Sequence, residues 1–453
     1  MCRFRITTAI LFALTALWMT NFVQAGSGTC TDKAKAGYPF QVRPAEAFEI
    51  LATLEKSTSS KVLVSKDEAD FFAAINLGKN QPFAEAALLA SGVSDAAKRR
   101  QYLARIEELE TEAKKATTDA KTPSEKGEKL LKFLHAGPMA KGYESKQTDL
   151  AALLDSGKFN CVSSATLYNV IGRRLGLNVR AIEVPGHVYS VLYDGDRCIE
   201  VQTTNSRGFD PSREERERIG KQTGKDLNGK KNNGREVGDM GLAAIIYYNR
   251  GVTAVNEKHV PEAIAMNLAA LSLDPDSPSA AANAESALNN WPLELAKTGK
   301  YEQAIEVSLV ASQIVRGRSG NLYFLAQEWA KAAYGEGGAE KAAGVLLKLQ
   351  QRFHDDKDIH SVAINHVHQM IQKQAGAGKF SEALDDVNRY RKLLNDKESN
   401  EIEVVVYDAW AGKHMKAKEW AKAIEVYEEG LRHLPKNGHL ENNLKYCRQE
   451  AKR

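Results

Sequence analysis

The feature that most constrains the fold is a short run that recurs about every forty residues through the second half of the chain. The runs read H-V-P-E-A-I, K-Y-E-Q-A-I, G-A-E-K-A-A, K-F-S-E-A-L and E-W-A-K-A-I, and each contains one alanine at the same place. These alanines are Ala263, Ala304, Ala342, Ala383 and Ala423. A repeat of this length is typical of a helical solenoid, in which each alanine opens a second helix that packs closely on the first. We therefore predict an all-α array over residues 241–453, with a capping helix from Leu440 to Ala451.

Other residues of the first and last repeats resemble the tetratricopeptide family. They are Gly251, Ala270 and Pro275 in the first repeat and Tyr407, Trp420, Tyr427 and Pro435 in the last. The resemblance implies a TPR-like solenoid with a concave face that binds a protein partner or substrate. Helical hairpins that merely form a bundle on the first domain are the alternative.

A second feature is the run G-K-F-N-C-V-S-S-A-T-L-Y-N-V-I-G-R-R-L-G around Cys161. Leu167, Ile171 and Leu175 recur at four-residue spacing, which predicts an amphipathic helix that begins at Cys161, and Gly176 suits its end. The N-terminus of a helix has unpaired N–H groups and a favourable dipole for negative charge. A cysteine there is expected to have a lowered pKa and to be nucleophilic near neutral pH.

The segment after this helix predicts strands that carry a histidine. A strand from Asn178 to Val184 leads to a Pro185-Gly186 turn, and His187 then begins one strand of a hairpin. The Asp194-Gly195 turn allows two registers. A two-residue turn places Gln202 directly opposite His187, and a four-residue loop places it diagonally. Gln202 is the nearest polar side chain in both registers, and Glu200 is the second candidate to orient the imidazole.

Together these three pieces resemble the transglutaminase-like branch of the papain-type cysteine enzymes, over roughly Leu150 to Phe209. The resemblance implies an α+β domain with helices packed on an antiparallel sheet. It also implies that Cys161 attacks an amide carbonyl and that His187 is the base. An aspartate usually holds the histidine at the position of Gln202. An amide can fix the tautomer of the imidazole but cannot stabilise an imidazolium by charge.

The residues leave some functional alternatives open. Thioester-mediated acyl transfer on peptide or protein amides would make the protein a peptidase, an amidase or a crosslinker. The competing hypothesis is an inactive binding module within a TPR scaffold, and Gln202 favours it. A redox role for Cys161 with Cys198 is a third, weaker option. Asn160 either shapes an oxyanion site or caps the helix, and we favour the cap.

The N-terminus predicts export. Arg3 and Arg5 precede an apolar stretch from Ile6 to Met19, and Val23-Gln24-Ala25 supplies small residues where a signal peptidase cleaves. We predict cleavage after Ala25 and a periplasmic or secreted protein without a stable membrane span. An uncleaved anchor is the alternative.

Composition adds little to this. Of 5 cysteines in the chain, those left after cleavage are too few and too scattered for a disulfide framework. We predict no metal site and no cofactor. A net charge of +4 does not indicate nucleic-acid binding.

The remaining segments complete the predicted domains. Pro44 to Leu89 reads as helical, and Asp95 to Lys115 as a charged amphipathic helix. The predicted order is a signal peptide over residues 1–25, a thiol domain over 26–210, a flexible polar linker over 211–240 and the repeats over 241–453. The linker is predicted from its many charged residues and glycines and its few apolar ones.

Overall fold

Helices dominate the protein, and one four-stranded antiparallel sheet accompanies them. The computed structural model describes residues 40, 42–53, 66–76, 82–224, 226–227, 234–315, 320–354 and 356–453. The predicted signal peptide and its cleavage site lie outside the described residues, as does Cys30. No helix in the described part of the chain is long and apolar enough to cross a membrane.

The elements occur along the chain in the following order. The helices before the sheet are α1 (Pro44–Ala52), α2 (Lys66–Asn76), α3 (Phe83–Ala90), α4 (Ala96–Ala116), α5 (Pro123–Ala136), α6 (Leu150–Ser156) and α7 (Cys161–Arg174). The strands are β1 (Asn178–Val184), β2 (His187–Asp194), β3 (Arg197–Val201) and β4 (Arg235–Val237), with α8 (Arg213–Thr223) between the last two. The later helices are α9 (Asp239–Asn256), α10 (Val260–Leu273), α11 (Pro278–Lys297), α12 (Tyr301–Ile314), α13 (Gly320–Arg352), α14 (Lys357–Gly376), α15 (Phe380–Tyr390), α16 (Asp396–Lys416), α17 (Trp420–His433) and α18 (Gly438–Glu450).

The sheet has the strand order β3-β2-β1-β4. The predicted starts of α7 and β2 and both ends of β1 are confirmed. Tyr193 pairs with Cys198 and Val191 with Glu200, so the hairpin adopts the second of the two predicted registers. Gly195 lies at the turn with a φ of 59°, a conformation that glycine adopts without strain. Extending this register places Gln202 diagonal to His187.

The helix α7 packs against the sheet and buries nearly all of its residues. Asn169 accepts a hydrogen bond from the Ser190 hydroxyl at 2.7 Å, which ties the middle of the helix to β2. Tyr168 is fully buried, and its hydroxyl donates to the backbone carbonyl of Gly127 on α5. The helix ends before Gly176, whose φ of 80° is left-handed. These contacts fix where the first turn of α7, and with it Cys161, lies on the sheet.

The segment predicted to be a flexible linker, residues 211–240, contains α8 and β4 in the parts that the structure describes. Ser212 accepts the backbone N–H of Glu215, and Glu215 accepts that of Ser212, so a capping box starts α8. Farther along, β4 pairs with β1, as in the Ala181–Val237 pair. Local hydrogen bonds at the start of α8 and strand pairing at β4 therefore hold these two parts of a stretch that has few apolar residues.

Two units can be distinguished by their contacts. Within the described residues, one unit comprises Ile106–Gln147 and Ala152–Asp239 and contains the sheet. The other comprises residues 40–105, Thr148–Ala151 and Met240–Arg453, and is helical. In this second unit α1 and α2 pack on α10, so it is not one continuous stretch of chain. The boundaries predicted for the domains stay predictions.

The helical unit buries every one of the repeated alanines. Ala263, Ala304, Ala342, Ala383 and Ala423 are all 0% exposed. Four of them occupy the fourth position of α10, α12, α15 and α17, and Ala342 follows a break in α13 at Gly337 and Gly338. Neighbouring helices from α10 to α18 pack on one another along the chain. The assignment of these helices to the tetratricopeptide family stays a prediction.

Candidate active site

The site is built around the first turn of α7. The side-chain oxygen of Asn160 accepts hydrogen bonds from the backbone N–H groups of Val162 at 2.9 Å and Ser163 at 3.2 Å. The hydroxyl of Ser163 in turn accepts the backbone N–H of Asn160. This is a capping box, and it confirms the cap as the role of Asn160. Two of the backbone N–H groups at this helix end are therefore bonded to Asn160.

A loop before α6 lies along this turn. Ser145 accepts a hydrogen bond from the Asn160 side-chain amide at 3.1 Å, and Gln147 accepts one from the Ser163 hydroxyl, both through backbone carbonyls. The neighbouring Tyr143 is partly buried. Burial raises the pKa of Tyr143, and the charge of a Cys161 thiolate adds to the effect. Tyr143 is therefore a protonated hydroxyl within electrostatic range of the cysteine sulfur.

Cys161 and His187 are both buried. Cys161 is the first residue of α7 and is 8% exposed, and His187 is the first residue of β2 and is 6% exposed. The ring of Tyr189 stacks beside that of His187, with centroids 6.2 Å apart. The two residues with candidate chemistry are thus held by the start of a helix and the start of a strand, which are rigid elements.

Gln202 meets His187 across the hairpin. Its side-chain oxygen lies 2.9 Å from Nε2 of His187, and Gln202 is 2% exposed. Because an amide oxygen only accepts hydrogen bonds, His187 must donate through Nε2. The other ring nitrogen, Nδ1, then carries the lone pair that can accept a proton.

Glu200 joins the site through Gln202. The side-chain nitrogen of Gln202 donates to the Glu200 carboxylate at 2.9 Å. Arg216 on α8 holds that carboxylate with three contacts of 2.9 to 3.2 Å. Its hydrogen bond to Glu200 raises the pKa of Arg216, so the guanidinium stays charged. The structure therefore contains an Arg216–Glu200–Gln202–His187 chain, and Arg216 was not predicted from the sequence.

Ser164, His135 and Thr203 form hydrogen bonds between helices and the segment that follows β3. Ser164 in the first turn of α7 shares a hydrogen bond of 2.8 Å with the hydroxyl of Thr203. Nε2 of His135 lies 3.0 Å from the backbone oxygen of Thr203. Thr203 follows Gln202 in the chain, so these bonds tie the segment that holds His187 to the turn that carries Cys161. None of the three residues was predicted from the sequence.

The structure shows no cluster of histidine, cysteine and acidic side chains suited to a metal among the described residues. Cys161, Cys198 and Cys447 are present as thiols.

Residues 100–203 match the family model of the transglutaminase-like superfamily. The matched range includes Cys161, His187 and Gln202, and it begins before the stretch on which the sequence resemblance was based and ends within it. The chain therefore contains a transglutaminase-like domain at these residues. No curated protein matches the chain.

Proposed function

We propose that the transglutaminase-like domain at residues 100–203 performs cysteine-based acyl transfer on peptide or protein amides. The observation that carries this proposal is the buried 2.9 Å contact between Nε2 of His187 and the side-chain oxygen of Gln202. It leaves the Nδ1 lone pair of His187 as the proton acceptor in the part of the fold that also holds Cys161.

The reaction has two halves. In the first, Nδ1 of His187 removes the proton of the Cys161 thiol, and the thiolate attacks the amide carbonyl carbon. The C–N bond then breaks as the imidazolium gives its proton to the leaving amine, and a thioester remains on Cys161. In the second half, water or an amine attacks the thioester while His187 removes its proton. The C–S bond breaks, and the thiol is restored.

The identity of the second nucleophile decides the outcome. Water gives a peptidase or an amidase, and a protein amine gives a crosslink. In either case we place the oxyanion against the backbone at the start of α7, where Cys161 is the first residue. The hydroxyl of Tyr143 is a second donor in electrostatic range of the cysteine.

The remaining parts of the proposal concern location and partners. We propose that the protein is exported by the N-terminal signal and acts in the periplasm or outside the cell. The helical repeats would bind a protein substrate or partner, as the five buried alanines are typical of stacked helix pairs. If the domain is inactive, the same repeats would form a scaffold that contains a transglutaminase-like binding module.

The test is iodoacetamide labelling of each cysteine across pH, followed by peptide mass spectrometry of the full chain. Because Cys161 is buried, its absolute rate is less informative than its pH profile, and each thiol is normalised to its own rate at high pH. Cys198 is exposed and Cys447 is buried, so the chain supplies both reference thiols. Burial raises the pKa of Cys447, which should label only at high pH.

Labelling of Cys161 that persists at about pH 6, well below the ordinary thiol pKa of about 8.5, would support a thiolate held by an imidazolium. The profile should move to higher pH in His187→Ala, and the labelled peptide should disappear in Cys161→Ser. A Cys161 profile that follows an ordinary thiol and does not respond to His187→Ala would contradict acyl transfer and favour the binding module.

A further inference from the structure

We propose that Glu200 and Arg216 are positioning residues that set the tautomer of His187 through the side chain of Gln202. The catalytic consequence rests on the proposed function, but the tautomer can be measured whether or not the protein is an enzyme. The inference starts from a property of the amide group, whose oxygen and nitrogen ends have nearly the same shape and opposite hydrogen-bonding roles.

The environment of Gln202 permits one amide orientation. The Glu200 carboxylate can only accept hydrogen bonds, so the NH₂ end of Gln202 must face it, at 2.9 Å. Arg216 holds this carboxylate in place, because its guanidinium binds both carboxylate oxygens. The oxygen end of the amide is then the end that faces His187.

The amide orientation in turn determines the protonation of the imidazole. Facing an oxygen, Nε2 of His187 carries the hydrogen and Nδ1 is the base. A reversed amide would present its NH₂ group to Nε2 and favour hydrogen on Nδ1, where it would block proton removal from a thiol. A wrong tautomer is costly in enzymes of this kind even when the geometry is unchanged.

This arrangement accounts for the amide at a position where the family usually has an aspartate. A single carboxylate supplies both orientation and negative charge to the histidine. Here Gln202 orients the imidazole of His187. The charge of Glu200 lies on the far side of the Gln202 amide, where it polarises the hydrogen bond between Gln202 and His187. The side chains of Glu200 and Arg216 are 23% and 30% exposed, so their ion pair is partly screened and contributes little to stability by itself. Its proposed role is to control the amide.

The experiment is ¹⁵N NMR of the full chain labelled at histidine, in which a protonated ring nitrogen and one with a lone pair have well-separated shifts. The His187 signals are assigned by their loss in His187→Ala. The spectra are compared in the Cys161→Ser background, where no thiolate can hold the imidazole in its doubly protonated form, and there we expect hydrogen on Nε2 and a lone pair on Nδ1. When Glu200→Ala or Arg216→Gln is added, the Nε2–H form should lose its dominance. In chains that keep Cys161, the same substitutions should slow iodoacetamide labelling of Cys161 at about pH 6.

The matched controls lie on the same helix. Arg213 forms an ion pair with Glu217 one turn away, so Arg213→Gln and Glu217→Gln remove comparable charges without touching the amide. Neither control should change the His187 spectrum. The double variant Gln202→Glu with Glu200→Gln exchanges the carboxylate and the amide. This double variant should restore the Nε2–H form. In a pH titration followed by the same signals it should also raise the pKa of His187, a rescue that a merely structural role does not predict.

The two proposals fail in different ways. An unchanged Nε2–H tautomer in folded Glu200→Ala and Arg216→Gln would overturn the positioning role, whatever the activity. A tautomer that changes as expected would support the positioning role, whatever the reactivity of Cys161. If Cys161 nevertheless labelled like an ordinary thiol, acyl transfer would be contradicted and the positioning role would stand.

Discussion

Gly208 lies directly against the backbone of Gln202. Its carbonyl oxygen accepts the Gln202 N–H at 2.7 Å, and a Cβ added at Gly208 would come within 2.0 Å of the Gln202 carbonyl oxygen. The neighbouring N–H of Asp210 donates to the Glu200 carbonyl at 2.8 Å. The chain after the site thus continues the hydrogen bonding of β3 and holds the backbone of both orienting residues.

Gly208→Ala should therefore disturb the site. The new methyl group would collide with the backbone carbonyl of Gln202, which has no alternative rotamer, so the backbone of Gln202 would have to shift. Overpacking of this kind costs about 1–3 kcal/mol of stability. We expect a lower urea midpoint and a Cys161 labelling profile displaced toward that of His187→Ala. Gly238→Ala is the control, because a Cβ there meets nothing within 4 Å. Equal behaviour of the two variants would contradict the close approach.

Two substitutions of Asn160 distinguish its effect on the stability of α7 from its effect on the charge of Cys161. Asn160→Ala removes the acceptor for two N–H groups of α7 and should cost about 1–2 kcal/mol, as measured by urea unfolding. Asn437→Ala removes a similar cap from α18, where Asn437 accepts the N–H of Leu440, and should cost a similar amount without affecting Cys161 labelling.

Asn160→Asp keeps the cap oxygen and adds a negative charge beside the first turn of α7. The helix should stay capped, while repulsion between the carboxylate and a Cys161 thiolate moves labelling to higher pH. A labelling profile the same as that of the wild type would contradict the expected repulsion between residue 160 and the Cys161 thiolate.

Local signals predicted the elements that carry Cys161 and His187 because the signals are strong and short in range. The apolar spacing of α7 and the Pro185-Gly186 turn each involve a few adjacent residues. The hairpin register was left open, since Asp194-Gly195 allows two loops, and the structure places the turn at Gly195 and Asp196. That difference decides whether Gln202 is opposite or diagonal to His187.

The contribution of α8 was missed for a physical reason. Its composition is strongly polar, and among its residues only Ile219, Gly220 and Thr223 are buried, so no amphipathic pattern indicates a helix. The capping signal from Ser212 to Glu215 was present but was outweighed by the composition of the surrounding stretch. The contact of Arg216 with Glu200 depends on the tertiary position of α8, which local pattern does not encode.

His135 should support the same region by a different route. Burial lowers the pKa of His135, so the ring is neutral, and Nε2 donates to the carbonyl oxygen of Thr203. His135→Leu would leave that oxygen without its donor in a buried site, at a cost of about 1–3 kcal/mol. We expect faster hydrogen exchange at residues 200–210. His135→Gln keeps a donor and should exchange more slowly than His135→Leu, and equal protection in the two would show that this hydrogen bond is not needed.

His366 should make the helical unit sensitive to acid. It lies on α14, 7% exposed, between the rings of Tyr334 and Tyr390 at 6.1 and 6.2 Å. Burial is the main cause that lowers the pKa of His366 from 6.5, and Lys331 adds to it. At pH values between the pKa of His366 in the folded protein and its unfolded value of about 6.5, the unfolded chain binds a proton that the folded protein does not. The free energy of unfolding therefore decreases as the pH falls through this range. The contribution of this histidine is complete above about pH 6.5 and is lost as the pH falls to its folded pKa.

His366→Phe keeps an aromatic ring in the same packing and removes the proton-binding group. We expect the urea midpoint of the variant to decline less than that of the wild type between pH 7.5 and pH 5.5, with similar midpoints near pH 7.5. The control is His368→Phe, since His368 lies on the same helix but is only partly buried. If His366→Phe and His368→Phe keep the wild-type dependence on pH, burial of His366 does not link protonation to unfolding. The acid sensitivity of this unit would then have to come from its carboxylates.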